Sequence, residues 1–262
     1  MVIRRIREHV TAHNWFAVTV DLGIVVAGVF LGTQVNNWNQ ARIDSARADE
    51  YRNRLADELD FDSRQYALQA AYYRQAQNFG FQALGDLEGG KRMSDSDFLV
   101  AAYQLTQVDT TSAKTGVYEE MAAAGLTDRL GDVETQQRAS DFYLTVKVAQ
   151  QNIDTIFPYR TLLREVMPYS IQRQISRRCG DRNVFYKERL VGITLVVPCP
   201  FQLDPVIAAG AARELRALPD LKRQMTRYIA SLDEKHFNLD LAGRQAQAFR
   251  ARILKPDRVP SP

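Results

Sequence analysis

The sequence predicts a mainly α protein: one N-terminal transmembrane helix continuing into an extramembrane helical bundle, with a small irregular or β-hairpin lobe. Three observations predict it. An apolar stretch fills residues 15–35, all nine prolines fall at or after Pro158, and a β-branched and aromatic run lies between the only two cysteines, Cys179 and Cys199. Composition agrees, since 45% of the 262 residues are hydrophobic and 25% are charged, ordinary values for a folded chain long enough to bury a sizeable core. Lys+Arg 34 against Asp+Glu 31 leaves a net charge of +3, which gives no reason to expect nucleic acid as a partner. Three histidines and two cysteines leave little material for a metal or nucleophilic centre. The chain reads as a non-enzyme with no catalytic residues and no cofactor.

Residues 1–14 form a short basic segment in which Ile3, Ile6 and Val10 share one helical face and arginines the other. That pattern suits an interfacial helix on anionic lipid headgroups. His9 and His13 are spaced i, i+4, but no third ligand lies near them, so no metal is expected there. Residues 15–35 carry a single charge and as a helix measure about 32 Å, enough for a hydrocarbon core of roughly 30 Å. The only two tryptophans, Trp15 and Trp38, bracket the stretch as interfacial anchors. The competing reading is a cleaved signal peptide. No convincing A-x-A site closes the run, whose exit reads GTQVNNWNQ, so an uncleaved signal anchor is expected. Arg4, Arg5 and Arg7 before the span, against Arg42 and Arg47 after it, put the N-terminus in the cytoplasm and the large domain outside.

Asp21 is the anomaly of the span, because a carboxylate within a bilayer costs ~2.5–3.5 kcal/mol on insertion scales. Asp21, Val25, Gly28, Gly32, Val35 and Asn39 follow alternating spacings of four and three and therefore share one stripe. Gly28 and Gly32 form a small-xxx-small pair that lets helix backbones approach closely. Two readings stay open: the stripe faces a partner helix, of a second copy or of another membrane protein, or Asp21 simply reaches toward water.

Residues 36–254 read as the helical extracytoplasmic domain. Ile43, Tyr51, Leu55, Leu59, Tyr66, Ala70 and Tyr73 recur at near-helical period, which predicts one helix leaving the membrane and packing into a bundle. Gly85–Asp97 is the first break. It contains Gly85-x-x-x-x-Gly90-Lys91, close to a phosphate-binding loop, but Arg92 stands where Ser or Thr is needed and Asp86 and Glu88 would repel phosphate. Ser94 predicts an N-cap for a helix to about Gln107. Further helices are expected over Thr115–Ala124, stopped by Gly125, and over Asp132–Phe157, continuing past Pro158 to Gln174. Val133, Phe142, Val146, Ile153 and Ile156 make the apolar face of the latter. Adjacent Glu119 and Glu120 point about 100° apart on a helix and are expected to be solvated.

Residues 176–203 form the small lobe, with a hairpin expected in Val184–Val197. Outside the cytoplasm, Cys179 and Cys199 should close a disulfide loop of 21 residues worth roughly 3 kcal/mol; in the cytosol they would be two buried thiols. Asp204-Pro205 predicts a helix start, running to about Ala217. Pro219 opens another, reaching roughly Ile253, and residues 255–262 read as a disordered tail. Residues 36–157 hold 12 Lys+Arg and 19 Asp+Glu, whereas residues 158–262 hold 19 and 10. Either the two halves complement each other, or Arg173, Arg177, Arg178, Arg182, Lys187 and Arg189 form a basic patch that meets an acidic partner or a lipid surface.

The basic N-terminus, the acidic residue early in the span and the exit Val35-Asn36-Asn37-Trp38-Asn39 resemble an uncharacterised family of bacterial single-pass membrane proteins, a domain of unknown function. Thr115-Gly116-Val117-Tyr118-Glu119-Glu120-Met121, closing at Gly125-Leu126, resembles a segment of the same family. The likeness covers residues 1–60 and 112–145. It implies the architecture and an envelope location, and it carries over no catalytic residue. The expected function is a membrane-anchored interaction or scaffold protein of the bacterial inner membrane, with its C-terminal domain periplasmic. Its expected partners are the lipid bilayer and a second copy or another membrane protein. The alternative is a ligand-binding or sensory domain; with only residues 1–14 inside, it would signal through a membrane partner.

Overall fold

The computed structural model describes residues 15–154 and 157–255. The expected interfacial segment, with His9 and His13, lies outside the described residues, as do Ile156 and the tail beyond Lys255. The chain divides into two compact units at Tyr51/Arg52, and it is mainly α. Helix α1, Trp15–Leu87, runs through 73 residues without a break, as the absence of proline before Pro158 allows.

In the first unit α1 is long and apolar enough to cross a membrane. Its large apolar side chains Phe16, Leu22, Ile24, Val29 and Phe30 are exposed. The two hydroxyls in this stretch turn back onto their own helix, Thr19 Oγ1 donating to the Trp15 carbonyl and Thr33 Oγ1 to that of Phe30, each at 2.8 Å. Each hydroxyl thereby finds its acceptor within the helix itself. Ile43, expected on the apolar stripe, is exposed.

In the second unit α1 is the spine. Leu55, Leu59, Tyr66, Ala70 and Tyr73 are buried, so the expected stripe is core from Leu55 onward. The helix ends where Gly89 adopts φ +82 and the Gly90 N–H returns 2.9 Å to the Gly85 carbonyl, a left-handed stop that costs glycine little. Asp86 turns inward, accepts the Met93 N–H at 2.9 Å and pairs with Arg216 at 2.7 Å. A carboxylate therefore fills the loop where a phosphate would need amides. Helix α2 is Asp95–Leu105, its first turn capped by Ser94, whose Oγ accepts the Asp97 N–H at 3.1 Å. Helix α3 is Gly116–Ala123 and is followed by Gly125 at φ +69. A 3-10 turn, Thr127–Leu130, leads into α4, Val133–Asp154.

The helix expected to continue past Pro158 to Gln174 is instead three helices: α4, α5 (Pro158–Val166) and α6 (Tyr169–Cys179). Phe157 is extended (φ −92, ψ 139), as is Met167 (φ −68, ψ 125). Each precedes a proline, which disfavours helical backbone at the residue before it. The second break is sealed by Gln172, whose Nε2 donates to the carbonyls of Arg164 and Met167 at 2.8 and 2.7 Å. Val133, expected on the apolar face of α4, is exposed, whereas Phe142 and Val146 are buried.

The lobe is a two-stranded antiparallel hairpin, β1 (Arg182–Tyr186) and β2 (Arg189–Thr194). Cys179 and Cys199 are joined across its base, their Cα atoms 5.4 Å apart. The hairpin lies along α1. Tyr186 Oη donates to Asp60 at 3.0 Å, Gly192 packs against Leu68, and the Leu195 N–H donates to Gln75 Oε1 at 3.1 Å. Helix α7, Pro205–Ala217, is capped by Asp204 as expected, and α8, Leu221–Ile253, completes the bundle. Helices α4 and α5 pack on α8, and α2 packs on α7. Gln77 ties α1 to α8 through the Ile229 carbonyl and Asp233, at 3.1 and 2.8 Å.

Candidate functional site

The sequence-predicted residues fall in separate places. Asp21, Val25, Gly28 and Gly32 share a stripe of α1 in the first unit, and a Cβ built on either glycine would meet nothing within 4 Å. Trp15 and Trp38 are 67% and 69% exposed. Arg173, Arg177 and Arg178 are exposed on α6, Arg182 opens β1, Lys187 lies in the hairpin turn and Arg189 opens β2. The strand between Arg182 and Tyr186 spans about 13 Å, so the structure spreads the six cations along the lobe. Among the described residues none of the six has an ion-pair partner. Arg189 lies over the Phe61 ring at 4.5 Å and Lys187 over that of Tyr186 at 5.3 Å. Elsewhere the acidic first half pairs with the basic second half: Asp86 and Asp95 with Arg216, Asp132 and Glu134 with Arg252, and Glu88 with Lys222. Glu119 and Glu120 are exposed, the latter paired with Arg54 at 2.7 Å. His236 lies in α8, where burial lowers its pKa.

The most unusual chemistry is one that the sequence analysis did not single out. Along α1, Leu55, Leu59, Asp62, Tyr66, Gln69, Tyr73 and Ala76 follow spacings of four and three, and all are buried. This is a core seam with a carboxylate and an amide at two of its positions. Glu58 and Gln65 flank it, also buried. These polar side chains hold the segment between α2 and α3 by its backbone. Tyr73 Oη donates to the Asp109 carbonyl at 2.9 Å and accepts its N–H at 3.2 Å. Gln69 Nε2 donates to the Thr111 carbonyl at 2.5 Å, Asp62 Oδ1 accepts the Lys114 N–H at 3.0 Å, and Glu58 Oε2 accepts the Val117 N–H at 3.3 Å. Positions 73, 69, 62 and 58 thus meet 109, 111, 114 and 117, so residues 109–117, the connecting segment with the first two residues of α3, form a strap running antiparallel to α1.

The strap is anchored at its start as well. Arg160 donates to the Thr106 carbonyl, and Arg164 donates to Thr106 Oγ1 at 2.8 Å while stacking over the Tyr103 ring at 3.8 Å. Burial lowers the Arg164 pKa. Beyond the strap, the α3 and α4 rings of Tyr118 and Tyr143 stack at 4.0 Å.

Electrostatically the seam is under-supplied with donors. Glu58 Oε1, Asp62 Oδ2, Gln65 Nε2, Gln69 Oε1 and Tyr143 Oη are all buried without a hydrogen-bond partner. No cation lies within ion-pair distance of Glu58 or Asp62 among the described residues. Burial pushes the Asp62 carboxyl up to about 7 against the opposing Lys114 amide, and the Glu58 charge adds to the rise. Burial likewise raises Glu58, and it raises the Tyr143 phenol with help from both carboxylates. Two carboxyls one helical turn apart, poorly solvated and facing amides, can hold a proton. No group of three or more metal-ligating side chains exists among the described residues. The signal that could have found the site is Asp62 and Gln69 at seam positions, where an apolar residue is the default.

Compared with protein-family models, curated proteins and solved structures, the chain matches none.

Proposed function

We propose that the protein is a membrane-anchored helical interaction protein of the bacterial envelope. In this reading residues 15–35 span the inner membrane, the N-terminus is cytoplasmic, the helical domain is periplasmic, and the span associates with a second copy or another membrane protein. The observation that carries it is the unbroken α1, whose apolar, exposed first part continues into the spine of the bundle. A bridged Cys179–Cys199 pair supports an oxidising compartment. The resemblance to the bacterial single-pass family belongs to the same reading. The test is labelling of intact cells with a membrane-impermeant maleimide. Labelling that appears only after an impermeant reductant is the expected result. Labelling that needs lysis and no reductant would put a reduced domain in the cytoplasm and overturn the reading.

A sensory role is the second reading, and the buried, donor-poor seam beneath the strap is the observation that favours it. A thermal-shift screen with small anions and amphiphiles separates the two. Reproducible stabilisation is expected of a sensor, and a flat screen favours the interaction protein.

A further inference from the structure

We propose that Glu58 and Asp62 form a proton-operated latch, holding residues 109–117 closed on α1 while a proton is shared between them and releasing the strap when both carboxyls ionise. The proposal concerns the second unit alone and does not depend on membrane anchoring.

The geometry carries it through a mismatch of donors and acceptors. Four buried acceptors of the seam and strap, Glu58 Oε1, Asp62 Oδ2, Gln69 Oε1 and Asp109 Oδ2, have no donor, whereas Gln65 Nε2 and Tyr143 Oη stand there as donors without a partner. One proton on the pair turns an acceptor into a donor and narrows the mismatch. A second negative charge widens it and adds repulsion one helical turn away, in a setting where both are strong. The strap registers the change because Asp62 and Glu58 hold the Lys114 and Val117 amides directly.

The surrounding charges do not cancel the effect. From α1 itself come Arg54, which pairs with Glu120 at 2.7 Å, and the Tyr66 phenol, raised by burial and by the Asp62 charge. From the strap comes Lys114, whose ammonium lies over the Phe61 ring at 4.3 Å. Helix α3 contributes Tyr118, Glu119 and Glu120, α4 contributes Tyr143, and the hairpin contributes Arg189, itself over Phe61. Helix α8 meets α1 through Gly243, which lies against Tyr66 Cβ and the Ser63 carbonyl, and through Arg250, which donates to the Ala56 carbonyl at 3.2 Å. The cations lower both carboxyls, but burial outweighs them.

Hydrogen–deuterium exchange of the full chain in detergent micelles, at pH 6 and pH 8.5 and corrected for intrinsic exchange, tests the latch. Protection of amides 109–117 is expected to fall about tenfold or more at the higher pH, the change that one pKa unit supplies. Amides of α8 and those around Thr106, held by Arg160 and Arg164, should not change. Asp62→Asn retains an acceptor for the Lys114 amide and brings its own donor, so its strap should stay protected at both values. Glu58→Gln should also flatten the response. A protonated-carboxyl infrared band in the unsubstituted protein, disappearing near neutral pH, checks the titration without any substitution. The proposal is overturned if strap protection does not change with pH, if every amide changes equally, if Asp62→Asn responds like the parent, or if no such band titrates.

Discussion

Asp62 and Asp86 show how one residue type is driven in opposite directions by its surroundings. Asp62 is buried and meets a backbone amide, and the Lys114 and Arg189 charges lower it too little to offset burial, so its carboxyl rises to about 7. In the folded chain it binds more protons than in the unfolded chain between the ordinary carboxylate value, about 3.9, and that raised value. Its contribution to stability is therefore greatest at the acidic end of the window and falls as pH rises through it. Asp86 is buried too, but Arg216, the Met93 amide and Arg92 overcome the burial and hold its carboxyl low. Its contribution is present above the ordinary carboxylate range and is lost as pH falls through the lowered value. Thermal unfolding from pH 4 to pH 8 should therefore show Asp62→Asn gaining on the parent as pH rises, with the difference levelling off above about pH 7. Arg216→Met should cost roughly 3–5 kcal/mol in urea unfolding, because it strands the Asp86 charge. The Asp86→Asn, Arg216→Met double variant should recover part of that loss.

At the scale of the element, starts were legible and continuations were less so. Ser94 and Asp204-Pro205 signal helix starts through one local interaction each, an oxygen waiting for an amide, and the structure bears both out. Pro158 is ambiguous in sequence because a proline can kink a helix or open one. The outcome is decided by Phe157, which is extended, and by a second proline at 168 that closes off α5. The hairpin was legible from its β-branched content, but its turn was not. Lys187 and Glu188 occupy it at φ 48 and 62, where Asn-Gly is the common choice and other side chains crowd the backbone. Replacing the pair by Lys187→Asn and Glu188→Gly should stabilise the protein by about 1 kcal/mol, read as a higher urea midpoint at constant slope. The strap, by contrast, could not be read at all. Its contacts join positions 36 to 59 residues apart, and although Asp62 and Gln69 stand out at apolar seam positions, nothing local to them says which segment they hold.

For the whole molecule, the mainly α architecture with one long apolar N-terminal helix and a small two-stranded lobe follows from three coarse signals: an apolar run, a proline-free half and two cysteines. Each is a property of many residues together, which is why it survives local misreadings. Charge behaves the same way. The acidic first half meets the basic second half in pairs such as Asp132–Arg252 and Glu88–Lys222, leaving the cations of α6 and the hairpin uncommitted. Association through the first unit is tested by Gly28→Leu and Gly32→Leu, which would hold helix backbones apart. Chemical cross-linking in membranes should lose the oligomer in either variant, and oligomers surviving both would exclude this face. The strap has a further consequence, for how the chain tolerates genetic change. Its hydrogen bonds to α1 use strap backbone atoms only, so any residue with an amide keeps the bond at 117, where substitutions other than proline should be cheap, whereas Lys114 also lays its ammonium over Phe61. One inserted or deleted residue, however, would throw all later attachments out of register with α1. The segment should therefore drift freely in spelling while its length stays fixed, and its partners on the helix at 58, 62, 69 and 73 should not drift at all.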